Sequence, residues 1–187
     1  MTAYVGTARL PVQVDIGFGD AITPAPESVS YPTLLDDLAA PLLRAYPVYT
    51  VIAEKLHAMV VLGMSNSRMK DFFDLAVIAR SMALDGEVLV EALRATFARR
   101  ATAMPNLDPV ALMPAFADDP EKTKQWRAFL VKLKLRDEAL ADVITLLRAF
   151  LLPPLQATVD TACSGTRWNP KTAQWTRGKS SARLSNG

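Results

Sequence analysis

Thr50-Val-Ile-Ala-Glu-Lys-Leu-His-Ala-Met-Val-Val-Leu62 and Asn66-Ser-Arg-Met-Lys-Asp-Phe-Phe-Asp-Leu-Ala-Val-Ile-Ala-Arg80 decide how this chain is read. At about 100° per residue both stretches are helices. Val51, Ile52, Ala58, Met59 and Leu62 fall on one face of the first, and Lys55 projects from the middle of that face. Glu54 and His57 point elsewhere. On the second helix Asp71 sits in the same way among Leu75, Ile78 and Met82. An unpaired charge on a buried face is costly, so Lys55 and Asp71 must pair, reach a wet cleft or serve chemistry. The loop between the helices is only a few residues long, which favours antiparallel neighbours and lets the two charges face each other.

Outward from this pair the chain is helical almost to residue 152. Thr50 is the expected N-cap of the Lys55 helix and Gly63 its stop, and Asn66 or Ser67 is expected to cap the Asp71 helix. Asp85 opens a third helix through Val88, Leu89, Leu93 and Phe97. Asp119-Pro120-Glu121, with proline in the first helical position, opens a fourth carrying Trp126, Phe129, Leu130 and Leu133. A fifth begins at Asp137 and ends at Pro153-Pro154. Upstream, residues 8–18 alternate at period two, with Leu10, Val12, Val14, Ile16 and Phe18 on one face and Asp15 on the other, which predicts a half-buried strand. Residues 19–46 read as a proline-rich loop with an ambiguous apolar stretch from Leu34 to Ala45. The expected class is α+β, mainly α: one N-terminal strand followed by a bundle of about five helices. One strand cannot make a sheet, so its neighbours must come from elsewhere.

Composition narrows the function classes. Half of the 187 residues are hydrophobic and 21% are charged, an ordinary globular balance. No stretch approaches the ~20 apolar residues of a membrane span, and the N-terminus lacks the basic start and apolar run of a signal peptide; a cytoplasmic protein without a membrane partner is expected. One cysteine, Cys163, and one histidine exclude an intrachain disulfide and make a zinc site improbable. From Gln156 onward five basic residues face one acidic residue, whereas the rest holds 16 of the 21 basic and 18 of the 19 acidic residues. Residues 156–187 are therefore expected to be a basic, disordered tail. Trp168 and Trp175 in it could stack on bases, but more often such residues pack back on the body.

Leu10-Pro-Val-Gln-Val-Asp-Ile-Gly-Phe-Gly-Asp20, Tyr46-Pro-Val-Tyr-Thr-Val-Ile-Ala-Glu-Lys-Leu-His-Ala58 and Asn66-Ser-Arg-Met-Lys-Asp-Phe-Phe-Asp-Leu75 resemble the AbiEii/AbiGii toxin family. The likeness continues through Ala95-Thr-Phe-Ala-Arg-Arg100 and Gln125-Trp-Arg-Ala-Phe129 to Phe150-Leu-Leu-Pro-Pro-Leu155. It implies a nucleotidyltransferase of the DNA-polymerase-β-like superfamily, the toxin half of a bacterial toxin–antitoxin or abortive-infection pair. It further implies Mg²⁺, a nucleoside triphosphate (NTP) and an acceptor, expected to be RNA such as tRNA. By the same resemblance Asp15 assists the metal or the acceptor, Lys55 contacts nucleotide phosphates, and Asp71 and Asp74 match the downstream acidic motif.

The departure from the family is equally plain. No Gly-Ser dipeptide and no Asp-x-Asp pair occurs anywhere in the chain, and these carry the family's main metal ligands. The expectation is a C-terminal part of such an enzyme, inactive alone. A gene fragment, a misassigned start codon and one half of a split enzyme with a complementing N-terminal half all fit. Two alternatives stay open beside it. Lys55 and Asp71 could be a structural ion pair of doubtful stabilising value, and the helices could be a non-catalytic module binding an antitoxin, a full-length toxin or tRNA. Lys70 is expected to pair locally with Asp74, and His57 to be a surface residue.

Overall fold

The computed structural model describes residues 2–11, 19, 21–35, 37–159 and 165–177. Among these, six helices form the body: α1 (Val48–Leu62), α2 (Met69–Ser81), α3 (Gly86–Arg99), α4 (Pro114–Asp118), α5 (Pro120–Lys132) and α6 (Leu140–Gln156). Three small antiparallel sheets lie around them. β1 (Thr2–Val5) pairs with β2 (Ala8–Pro11) and β3 (Glu27–Ser30) with β4 (Leu42–Ala45). The third sheet runs β5 (Leu84–Asp85), β6 (Thr166–Asn169), β7 (Gln174–Arg177). The α+β, mainly helical class read from the sequence is the class observed.

The core is one cluster in which Ile52, Leu56 and Met59 of α1 meet Phe72 and Leu75 of α2, Leu93 and Phe97 of α3, and Leu147 and Phe150 of α6. Helix α1 packs chiefly on α3 and α2 on α6. The buried stripe of α1 is Ile52, Ala53, Leu56 and Met59, the i, i+4, i+7 rows of a helix facing a core. That corrects the predicted face: Leu62 is exposed, and Lys55 flanks the stripe instead of standing in its middle. With the 3-10 turn after it, α1 spans 18 residues of mean hydropathy 1.2, long and apolar enough to cross a membrane, which the sequence reading overlooked. Glu54, Lys55 and His57 stand at mid-helix, and Thr50, Ile52, Ala53, Leu56 and Met59 are buried against the rest of the protein.

The caps explain the boundaries. Asp85 accepts hydrogen bonds from the amides of Glu87 and Val88 at 2.9 and 3.3 Å, and Asp119 from that of Lys122 at 3.0 Å, so both predicted starts hold. Gly63, at φ 49°, closes α1 with its amide on the Met59 carbonyl, a backbone state glycine adopts without strain. Thr50 is no cap: it lies inside α1, and its hydroxyl bonds the backbone N–H and C=O of Thr23 at 3.0 and 3.1 Å, tying the preceding loop to the helix. Helix α2 starts at Met69 with no side-chain cap, and Asn66 Oδ1 takes the Arg68 amide just before it.

Three further expectations change. Only residues 8–11 of the predicted strand are described as strand, and they are exposed; their partner is β1, reached through a tight turn at Gly6 (φ 59°). A neighbour close in sequence thus satisfies the pairing. Residues 12–18, Asp15 included, lie outside the described residues, as does Cys163. The ambiguous segment before α1 supplies β4, not a helix.

The third correction is the tail. Between 165 and 177 it is a hairpin whose Trp168 is fully buried against Phe150 and Trp175, at ring distances of 4.9 and 5.5 Å. The indole N–H of Trp168 donates to the carbonyl of Ala79, in the last turn of α2, at 2.6 Å, where helix carbonyls have no partner of their own. Trp175 donates to the carbonyl of Phe150 at 2.9 Å. That carbonyl would normally receive the amide of residue 154, which is a proline. The predicted stop at Pro153-Pro154 fails for the same reason: the carbonyl freed by Pro154 is served from the hairpin, and α6 runs on to Gln156.

Candidate functional site

Helices α1 and α2 bring Lys55, Asp71 and Asp74 together. The Lys55 ammonium donates to Asp71 Oδ1 at 2.5 Å and to Asp74 Oδ2 at 2.8 Å. The predicted pairing of Lys55 with Asp71 is therefore present, and Asp74 joins it. Asp74 Oδ2 also receives Lys70 at 2.6 Å, the expected i,i+4 pair. Arg68 Nε stands 2.9 Å from Asp71 Oδ2, but it is out of line for a hydrogen bond, so among the described residues that buried oxygen has a charge partner and accepts no hydrogen bond. Side-chain exposure grades outward: 7% for Asp71, 17% for Lys55, 24% for Asp74 and 60% for Arg68.

Of these groups Lys55, Arg68 and Asp71 line a cavity of about 350 Å³, together with Tyr46, Thr50, Val51, Glu54 and Arg100. Arg100, just past the end of α3, donates to Glu54 Oε2 at 2.8 Å, while Glu54 Oε1 is buried without a hydrogen-bond partner among the described residues. Lys55, Arg68 and Lys70 carry three positive charges against two on Asp71 and Asp74, and Arg100 and Glu54 cancel. Among the described residues the site thus keeps an excess of one positive charge.

Burial alone would lower the Lys55 pKa, but the hydrogen bonds and charges of Asp71 and Asp74 outweigh it and hold the ammonium above the ordinary lysine value. For Asp74, burial pushes upward and is outweighed by Lys55 and Lys70, so its carboxyl lies below the usual aspartate value. His57 stands apart from the cavity lining. It is half-buried, with Nε2 2.9 Å from Thr102 Oγ1 and its ring edge-on to Phe97, and burial lowers its pKa.

A model of the family described as nucleotidyl transferase AbiEii toxin, type IV TA system, matches residues 1–160. The chain belongs to this AbiEii family. No curated protein and no solved structure matches it. Membership carries nucleotide transfer, with NTP and divalent metal use, and a toxin–antitoxin setting at the level of the family. It assigns no role to a residue here. The described residues do not fit the divalent ion: no group of three His, Cys, Asp or Glu among them is placed to hold a metal, and Asp71 and Asp74 are both turned onto Lys55.

Sequence reasoning missed Glu54, Arg68 and Arg100. Two signals were available. Arg68 is three residues before Asp71, within reach on a helix, and Arg100 ends one of the segments that carry the family likeness.

Proposed function

We propose that the cavity beside Lys55 binds the triphosphate of an NTP, as part of an AbiEii-type toxin that transfers a nucleotide to an RNA acceptor such as tRNA. The observation that carries this reading is an ammonium fixed between two aspartates at the wall of a cavity flanked by two arginines. Lys55 supplies the phosphate contact, Asp71 and Asp74 hold it in place, and Arg68 is the cation free to follow an anion. Asp15, outside the described residues, remains the proposed aid to metal or acceptor. Because the 187 residues hold no Asp-x-Asp pair, the chain by itself binds nucleotide without transferring it, and a cognate antitoxin is the proposed partner.

The test titrates each of the four NTPs, with magnesium, into the purified chain by calorimetry, and incubates labelled NTPs with mixed tRNA. Saturable binding is expected for at least one NTP, weakened about ten- to a hundredfold in Lys55→Ala, the loss of one charge-assisted hydrogen bond. No label should enter tRNA. Unchanged binding in a folded Lys55→Ala protein would refute the phosphate role; labelled tRNA would refute the claim of no transfer.

A second reading has its own observation. Tyr4, Tyr31, Leu34, Leu35 and Leu42 are each more than half exposed, so the first 46 residues offer apolar surface suited to a non-catalytic interaction module. Capture of an antitoxin or tRNA that Lys55→Ala leaves intact, without NTP binding, would favour it.

A further inference from the structure

Lys122 stands in the first turn of α5, where a cation opposes the helix dipole. Its residue is only 7% exposed, and no carboxylate among the described residues lies within ion-pair distance of it. Both placements are costly for a charged group. What the ammonium holds is the backbone carbonyl of Asn66, at 3.0 Å, beside the ring of Phe116 at 5.4 Å. Asn66 is itself fully buried, and its Oδ1 receives the Arg68 amide at 2.9 Å. Arg68 meets Asp71, and Asp71 meets Lys55. A continuous polar chain thus runs from α5 through the α1–α2 connection to the cavity.

We propose that Lys122 is a positioning residue for the Lys55 site: by fixing the Asn66 carbonyl it sets where α2 begins, and so aims Arg68 and Asp71 at Lys55. Helix α2 has no side-chain cap, so this link from another helix is an anchor on the segment that leads into its start. The consequence for nucleotide binding rests on the function proposed above; the positioning itself does not.

The experiment follows the Lys55 ammonium by NMR of isotopically labelled lysine, through an alkaline titration, in Lys122→Met, Lys122→Gln and Lys122→Arg. Lys122→Met removes the donor. It is expected to lower the Lys55 titration midpoint by roughly one pH unit, the low end of what a carboxylate within 4–6 Å contributes, and to weaken NTP binding several-fold. Lys122→Gln and Lys122→Arg keep a donor and should leave the midpoint near the parent value, a rescue that bulk stability alone does not give. Asn66→Ala breaks the next link and should reproduce the shift, which keeps the test open if Lys122→Met does not fold. A Lys55 midpoint unchanged in folded Lys122→Met, or in Asn66→Ala, overturns the proposal. Since this readout needs no nucleotide, a chain that binds no NTP yet shows the shift would refute the proposed function and leave the positioning role standing.

Discussion

Replacing Lys55 by methionine keeps the apolar stem and removes the ammonium. Asp71, with its side chain 7% exposed, would then face Asp74 with, among the described residues, only the misaligned Arg68 as a charge partner. Breaking a buried pair by removing one partner costs 3–5 kcal/mol. Asp74 keeps Lys70 and the cavity admits water, so the low end applies, about 3 kcal/mol. With a urea slope of about 2 kcal/mol/M the midpoint falls by roughly 1.5 M, and the melting temperature by about 6–12 °C.

The pH dependence is specific. Asp74 has a depressed folded pKa, so its contribution is present above the unfolded value of about 3.9 and is lost as pH falls through the folded one. Lys55 has a raised folded pKa, so its contribution is present below the unfolded value of about 10.4 and is lost as pH rises through the folded one. The gap between parent and Lys55→Met is therefore widest from about pH 5 to 10 and closes at both ends. Urea titrations at acid, neutral and alkaline pH read it directly. A gap below about 1 kcal/mol that does not change with pH would mean a solvated pair and refute the reasoning.

The remaining expectations concern other parts of the fold. His57 is held below its ordinary pKa by burial, so stability is full above the unfolded value of about 6.5 and declines as pH falls below it; His57→Gln should abolish that slope, whereas parallel urea midpoints for parent and variant would contradict it. Trp175→Phe keeps the ring but leaves the Phe150 carbonyl without its donor, at about 1–2 kcal/mol. The cost should shrink when Pro154→Ala restores an amide to the helix, and a double-mutant cycle without coupling would show that the indole bond does not serve that carbonyl. Asp85→Ala removes the acceptor for two amides of α3 and should cost about 1 kcal/mol, read by thermal melting.

The sequence was most legible where periodicity and a short loop act together. The spacing of Lys55 and Asp71 across a short connection sufficed to bring the two charges together, although the helices that carry them pack chiefly on α3 and α6. It did not show that Asp74 shares the lysine, because Lys70 offered that carboxylate a local partner of its own. The pairing of Glu54 with Arg100 was hidden for a different reason: it spans α1 and the end of α3, and no pattern within one helix encodes it, although Arg100 itself ends a segment that carries the family likeness. The hairpin at 166–177 was half legible: its two tryptophans were expected to pack back on the body, as they do, but a basic, polar composition reads as solvated and hid the strands. Its logic lies in unfilled hydrogen bonds. Pro154 deprives a carbonyl of its donor, and Trp175 supplies one from a distant point in the chain.

An ion pair and a ligand site are compatible readings of Lys55, and the grading of the surrounding contacts says how they combine. A buried pair adds little net stability compared with apolar side chains of the same size, so stability alone is a weak reason for three charges to converge here. Lys55 is bound on two sides and gives up well-formed hydrogen bonds if it moves. Arg68 is mostly exposed and holds Asp71 out of alignment, so it gives up little. An arriving triphosphate would therefore draw Arg68 first and meet Lys55 already in position, with its ordering cost met by the fold. Replacing Lys55, Asp71 and Asp74 together by methionine and two leucines separates the two roles: if only structure were at stake, the folded triple variant would keep NTP binding, and on the proposed reading it loses binding while its stability stays near the parent's.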